Sequence, residues 1–78
     1  EDPWFTFGLE CDNCAYIAVW RIFGEKILNV PLKEELQKYR HVEPVYPQNT
    51  LDCAYINENH TISFLLEETK TARIFKLY

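Results

Sequence analysis

The sequence predicts an α+β domain: an antiparallel β-sheet of five to six strands, in the order β-β-(β)-α-β-β-β, with one helix packed on a face. Three observations point there. Apolar residues alternate with polar ones near both ends of the chain, the spacing lengthens to that of a helix between Pro31 and Arg40, and polar, Gly- or Pro-containing breaks separate the runs. A chain of 78 residues that is 47% hydrophobic and 15% aromatic holds apolar material for one core and not for two, so residues 1–78 are expected to form a single small globular domain.

The opening run, Trp4 to Cys11, puts Phe5, Phe7, Leu9 and Cys11 on one face and Thr6, Gly8 and Glu10 on the other. The apolar set is expected to be the buried one. Asp12-Asn13 is a two-residue polar break of the kind that turns a tight hairpin. Cys14 to Phe23 follows, apolar on both faces except at Arg21 and rich in β-branched and aromatic residues. It is read as a central strand covered on both sides, with a buried helix as the alternative. Gly24-Glu25 ends that run, and Lys26 to Val30 is a short further strand.

Between Pro31 and Arg40, Leu32, Leu36 and Tyr39 recur at i, i+4 and i+7. Pro31 near the start, acids in the first turn and Lys38, Arg40 and His41 at the end match the chemistry of helix termini, and Glu34 and Lys38 stand four apart as an ion pair would. Burying the Leu32, Leu36 and Tyr39 stripe against the sheet supplies the second layer of the core. Val42 to Thr50, with Pro44, Pro47 and Asn49, is then an extended crossing loop. Leu51 to Ile56, Thr61 to Glu68 with Ile62, Phe64 and Leu66 on one face, and Thr71 to Leu77 return to period two. They are expected to form a three-stranded meander whose last strand is either covered or inside the sheet of a monomer, or at a sheet edge where unpaired backbone would receive a second copy.

Ala54-Tyr55, then Asn57 to Ser63, then Glu68 to Leu77 resembles the inner three strands of one WD-repeat propeller blade, with Phe75 where that family usually has Trp and with the signature Gly-His and Trp-Asp dipeptides missing. The resemblance implies a blade-like meander that buries its faces against neighbouring blades.

Charge and chemistry exclude several functions. Eight Lys and Arg against twelve Asp and Glu give a net charge of −4, which repels a nucleic-acid backbone. The longest uninterrupted apolar run, Ala15 to Trp20, falls well short of the roughly 20 residues of a membrane-spanning helix. The chain starts at Glu1 and carries no signal peptide, which reads as a processed mature protein or an excised domain. Its one serine, Ser63, lies between Ile62 and Phe64 with no exposing Gly-x-Ser-x-Gly turn, and no sequence feature brings His41 or His60 to a thiol. The expectation is a protein without enzymatic activity or cofactor.

Three cysteines, Cys11, Cys14 and Cys53, cannot all pair within one chain. With the sequon Asn59-His60-Thr61 they lean toward an extracellular protein, in which Asn59 would carry a glycan and Cys53 would pair with Cys11, with Cys14 or with neither. Cys11-x-x-Cys14 with Cys53 and His60 would also make up a Cys3His zinc set. The aromatic surplus points elsewhere. Trp4, Tyr46 and Tyr78 lie at element ends or in the long loop, and Phe75 lies on the closing strand, as candidate contact residues. The favoured function is a protein-interaction module whose partner is another protein or a second copy of the chain. The alternatives are a small secreted carrier of an apolar ligand and a zinc-stabilised domain.

Overall fold

The structure is a computed structural model describing residues 2–46 and 50–78. Its strands are β1 (Trp4–Glu10), β2 (Ala15–Arg21), β3 (Ile27–Pro31), β4 (Val42–Tyr46), β5 (Cys53–Ile56), β6 (Thr61–Leu65) and β7 (Thr71–Leu77). They form two antiparallel sheets, one of four strands in the order β1-β2-β7-β4 and one of three in the order β3-β6-β5. Ile17, Val19, Phe75 and Leu77 of the larger sheet meet Ile62, Phe64 and Leu66 of the smaller one to make the core. Phe64 and Phe75 join the two layers, their rings tilted at 49° with centroids 5.4 Å apart. The second layer is therefore a sheet and not a helix, and the class is nearly all β rather than α+β.

The expected helix is reduced to one 3-10 turn, Glu34–Leu36. Its ends are committed elsewhere. Pro31 is still paired with Thr61 in β3, the Leu32 N–H donates to the His60 carbonyl, and the Arg40 and His41 N–H groups both reach the Tyr78 carbonyl in the other sheet. The segment between must cross from one sheet to the other, and so short a stretch gains little from helix propensity alone. Lys33 is extended and supplies no side-chain cap. The i, i+4, i+7 spacing nevertheless marks the buried residues, since Leu32, Leu36 and Tyr39 all join the core. Lys38 pairs not with Glu34 but with Glu10 at the end of β1, 3.0 Å away.

The face assignment of β1 is inverted. The Cys11 N–H donates to the Cys14 carbonyl at 2.8 Å, closing the hairpin around Asp12-Asn13. The resulting register pairs Trp4 with Arg21, Thr6 with Val19, Gly8 with Ile17 and Glu10 with Ala15. Because Ala15, Ile17, Val19 and Arg21 lie on the core side, so do Trp4, Thr6, Gly8 and Glu10, of which Trp4 alone is buried while the other three line an open groove, and Phe5, Phe7 and Leu9 are left on the outer side. β2 is accordingly covered on one face only.

The meander is also divided. β5 and β6 pair in the small sheet, but β7 crosses to the large one and lies between β2 and β4. It is not an edge, and of the consecutive pairing that the WD-repeat resemblance implies β5–β6 is formed and β6–β7 is not. Part of the expected crossing loop is the strand β4, an edge strand that accommodates Pro44, while Pro47 and Asn49 lie outside the described residues. Buried charges fasten the crossing. Arg21 donates from Nη1 to the carbonyls of Leu66 and Glu67 at 3.0 and 3.1 Å, and from Nη2 to the Gly24 carbonyl. Gly24 holds φ at +90°, and a Cβ there would press on Pro3.

Candidate functional site

The pairing registers carry the outer face of the four-stranded sheet across in rows. One row runs Phe7, Ala18, Ile74, Tyr46, with one residue from each strand. Beside it runs Phe5, Trp20, Ala72, in which the Phe5 and Trp20 rings lie 5.3 Å apart. On the other side Leu9 and Tyr16 lead to Lys76 and Glu43, opposite each other in register, so the patch ends in charged residues. Phe5, Phe7, Leu9, Trp20, Ile74 and Tyr46 remain 37% to 70% exposed. On side chains of roughly 150–250 Å², this leaves about 600 Å² of contiguous apolar surface, as large as the largest patches of ordinary monomers.

The outer face of the three-stranded sheet differs in kind. Asn29, Ser63 and Tyr55 make one row and Pro31, Thr61 and Asn57 the next. Asn57 donates from Nδ2 to the Thr61 and Ser63 hydroxyls, the Ser63 hydroxyl donates to Asn29, and the Thr61 hydroxyl to Asn59 Oδ1. These polar groups satisfy one another and present a hydrated surface. A third row, Ile27, Leu65 and Cys53, is apolar, so this face is mixed where the outer face of the four-stranded sheet is mainly apolar.

A groove of about 290 Å³ opens along the seam between β1 and β3. Ile17, Ile62 and Phe64 line it, and Glu10, Lys33 and Glu35 give it charged lining as well. This volume lies at the lower limit of small-molecule sites, roughly 300 Å³.

The expected site residues do not form one cluster. Phe75 is fully buried and Trp4 nearly so, which places both in the core. Tyr46 and Tyr78 are 70% and 46% exposed, and both stand on the large sheet, Tyr46 opposite Ile74 and Tyr78 stacked on His41. Phe5, Phe7 and Leu9 were missed as surface residues because alternation marks a face without saying which side the core lies on. No local signal reverses the assignment, because Arg21, a charged residue of the kind that ordinarily marks an outer face, shares the parity of the inward β2 residues.

All three cysteines are free, so the expected pairing of Cys53 with Cys11 or Cys14 is not formed. Cys11 and Cys14 flank the β1–β2 turn of one sheet, while Cys53 opens β5 in the other. His60 follows the far end of β5, at an exposed turn with φ of 62°. Among the described residues no group of three or more His, Cys, Asp or Glu is gathered as a metal would require. Partial desolvation, then the neighbouring Cys14 thiol and the acids Asp12 and Glu10, push the Cys11 thiol up. The Lys38 ammonium is held above its usual range by its hydrogen bond to Glu10, and desolvation raises the Tyr39 phenol, which donates to the same carboxylate at 3.3 Å. The Cys53 thiol beside Tyr55 raises that phenol too.

No helix of the described residues is long and apolar enough to cross a membrane. Compared with protein-family models, with curated proteins and with solved structures, the chain matches none.

Proposed function

We propose that the chain is a non-enzymatic protein-binding module whose contact surface is the outer face of the four-stranded sheet. The observation that carries the reading is the row Phe7, Ala18, Ile74, Tyr46, flanked by the Phe5–Trp20 pair, which leaves an apolar patch open on the outer face of the larger sheet. Clustered exposed aromatic residues are the composition of binding hot spots. The complement is a protein surface with an apolar centre and charges placed to meet Lys76 and Glu43. Ser63 supports the non-enzymatic reading, since its hydroxyl is engaged with Asn29 and Asn57 rather than with a base. Should the chain pass through a secretory compartment, Asn59, exposed in the β5–β6 turn, is the glycan acceptor, remote from the proposed contact face.

The test replaces Phe7 by a photo-crosslinking amino acid, with the same probe at Glu58 on the polar side as control. Proteins other than a second copy of the chain that are captured only at position 7 are then purified and titrated. Ile74→Asp is expected to weaken such a complex by at least tenfold and Glu58→Lys to leave it unchanged. Equal capture at both positions, or equal affinity of the Ile74 variant, contradicts the reading.

A further inference from the structure

The four sheet edges are not equally protected. In an antiparallel ladder, residues alternate between those bonded to the partner strand and those whose N–H and C=O point the other way. Bonds from Leu32 N–H to the His60 carbonyl and from Leu66 N–H to the Lys26 carbonyl make the even-numbered residues of β3 the bonded ones. Pro31 therefore turns its nitrogen, which has no hydrogen, to the free edge. The mutual bonds of His41 and Tyr78 do the same for β4, where Pro44 faces outward. β5 is only four residues long and lies against β4. Two edges thus carry a proline at the position that blocks strand addition, and a third is short and flanked.

β1 has no such guard. Its bonded residues are odd-numbered, as the Cys11 N–H to Cys14 carbonyl and Ile22 N–H to Pro3 carbonyl bonds fix. Trp4, Thr6, Gly8 and Glu10 consequently direct a full set of donors and acceptors outward along seven residues.

We propose that this edge pairs antiparallel with β1 of a second copy, about a two-fold axis at Phe7. That register is the one that pairs the whole strand. It sets Trp4 opposite Glu10, Thr6 opposite Gly8, Phe5 opposite Leu9 and Phe7 opposite Phe7, so apolar residues meet across the axis and no like charges oppose. Phe5, Phe7 and Leu9 are 55%, 60% and 59% exposed. Covering part of them together with the edge backbone removes about 500 Å² per copy, or about 1,000 Å² in all, the lower limit for a specific interface. The dimer is accordingly weak and concentration-dependent. Two chains of charge −4 repel, so added salt tightens it. The contact runs along the edge and takes in only the β1 margin of the apolar face, Phe5, Phe7 and Leu9, leaving Ile74 and Tyr46 open, so a monomer would leave the protein-binding reading of that face intact.

The experiment is sedimentation equilibrium of the whole chain, followed by the same measurement on Gly8→Pro. This change copies the guard found at Pro31 and Pro44: it removes an outward N–H and leaves the β2 ladder whole. A Cβ at Gly8 meets nothing closer than 3.9 Å, so the fold has room for it. The wild type is expected to dimerise reversibly at micromolar concentrations and Gly8→Pro at least tenfold more weakly. As a check independent of that variant's folding, Phe7→Cys in a chain with Cys11, Cys14 and Cys53 changed to Ser is expected to form a disulfide-linked dimer on oxidation, because facing residues of a non-bonded pair lie about 4.5 Å apart. Ile74→Cys in that background is expected to stay monomeric. A single 9.3 kDa species at every concentration and salt, or a dimer cross-linked through position 74 and not position 7, overturns the proposal.

Discussion

Asp52 Oδ2 stands 2.6 Å from Arg73 Nε, an ion pair that joins the approach to β5 in one sheet to the middle of β7 in the other. The same carboxylate accepts the Glu67 N–H through Oδ1 at 2.8 Å, holding the segment that carries the chain across. The Asp52 side chain is 5% exposed and that of Arg73 22%. Removing one member of so enclosed a pair leaves the other short of a partner. Asp52→Ala is expected to cost about 3 kcal/mol, and Asp52→Asn less because it keeps an acceptor for Glu67. Urea denaturation of both variants checks the order.

Phe75 separates a core role from a contact role. Fully buried and packed on Phe64, it is expected to lose about 3–5 kcal/mol as Phe75→Ala through the cavity left between the sheets. Phe7→Ala, 60% exposed at the start, is expected to change stability little. Melting curves of the two single variants give the comparison.

The Glu10 cluster predicts a loss of stability at high pH. The folded-state pKa values of Lys38 and Tyr39 both lie above their ordinary values, Lys38 through its bond to Glu10 and Tyr39 chiefly through desolvation. Folding therefore favours the protonated form of each. The resulting stabilisation is complete below about pH 10 and disappears as pH rises through the folded-state values. Thermal melts from pH 8 to 11 are expected to fall more steeply above pH 10 for the wild type than for Glu10→Gln, which lacks the carboxylate that favours the charged lysine.

Cys11 is expected to react slowly with alkylating reagents at neutral pH despite its exposure, because its thiol is raised and the thiolate is the reactive form. Residue-resolved alkylation against pH is expected to give Cys11 a midpoint above the ordinary thiol range. Asp12→Asn is expected to lower it.

Strand positions were largely legible in the sequence because period two and the turn chemistry of Asp12-Asn13 are local. Ile62, Phe64 and Leu66 are buried as their alternation indicates, and so are Leu32, Leu36 and Tyr39. What those three residues do not encode is the backbone between them: a 3-10 turn with extended flanks delivers the same side chains to the core as a helix would. The placement of β7 was not legible either. Its nearest neighbour in sequence is β6, yet its partners β2 and β4 are set by packing between layers, which no local pattern records. The apolar face was visible as Phe5, Phe7 and Leu9 but assigned to the interior, since a two-sided apolar hairpin can turn either face inward. The cysteines gave spacing without geometry.

The position of β7 has a consequence for the order of assembly. During synthesis β1, β2 and the whole small sheet leave the ribosome before the strand that must lie between β2 and β4. Until it arrives, the inner face of β2 has no neighbour on that side, and Phe64 lacks Phe75. Closure therefore depends on contacts between segments about fifty residues apart, for example Arg21 with Thr71, and such non-local pairing is slow relative to hairpin formation. The unfinished chain exposes two apolar surfaces, one temporary and one permanent, and its crowding hazard is greatest in the interval before its last seven-residue strand docks.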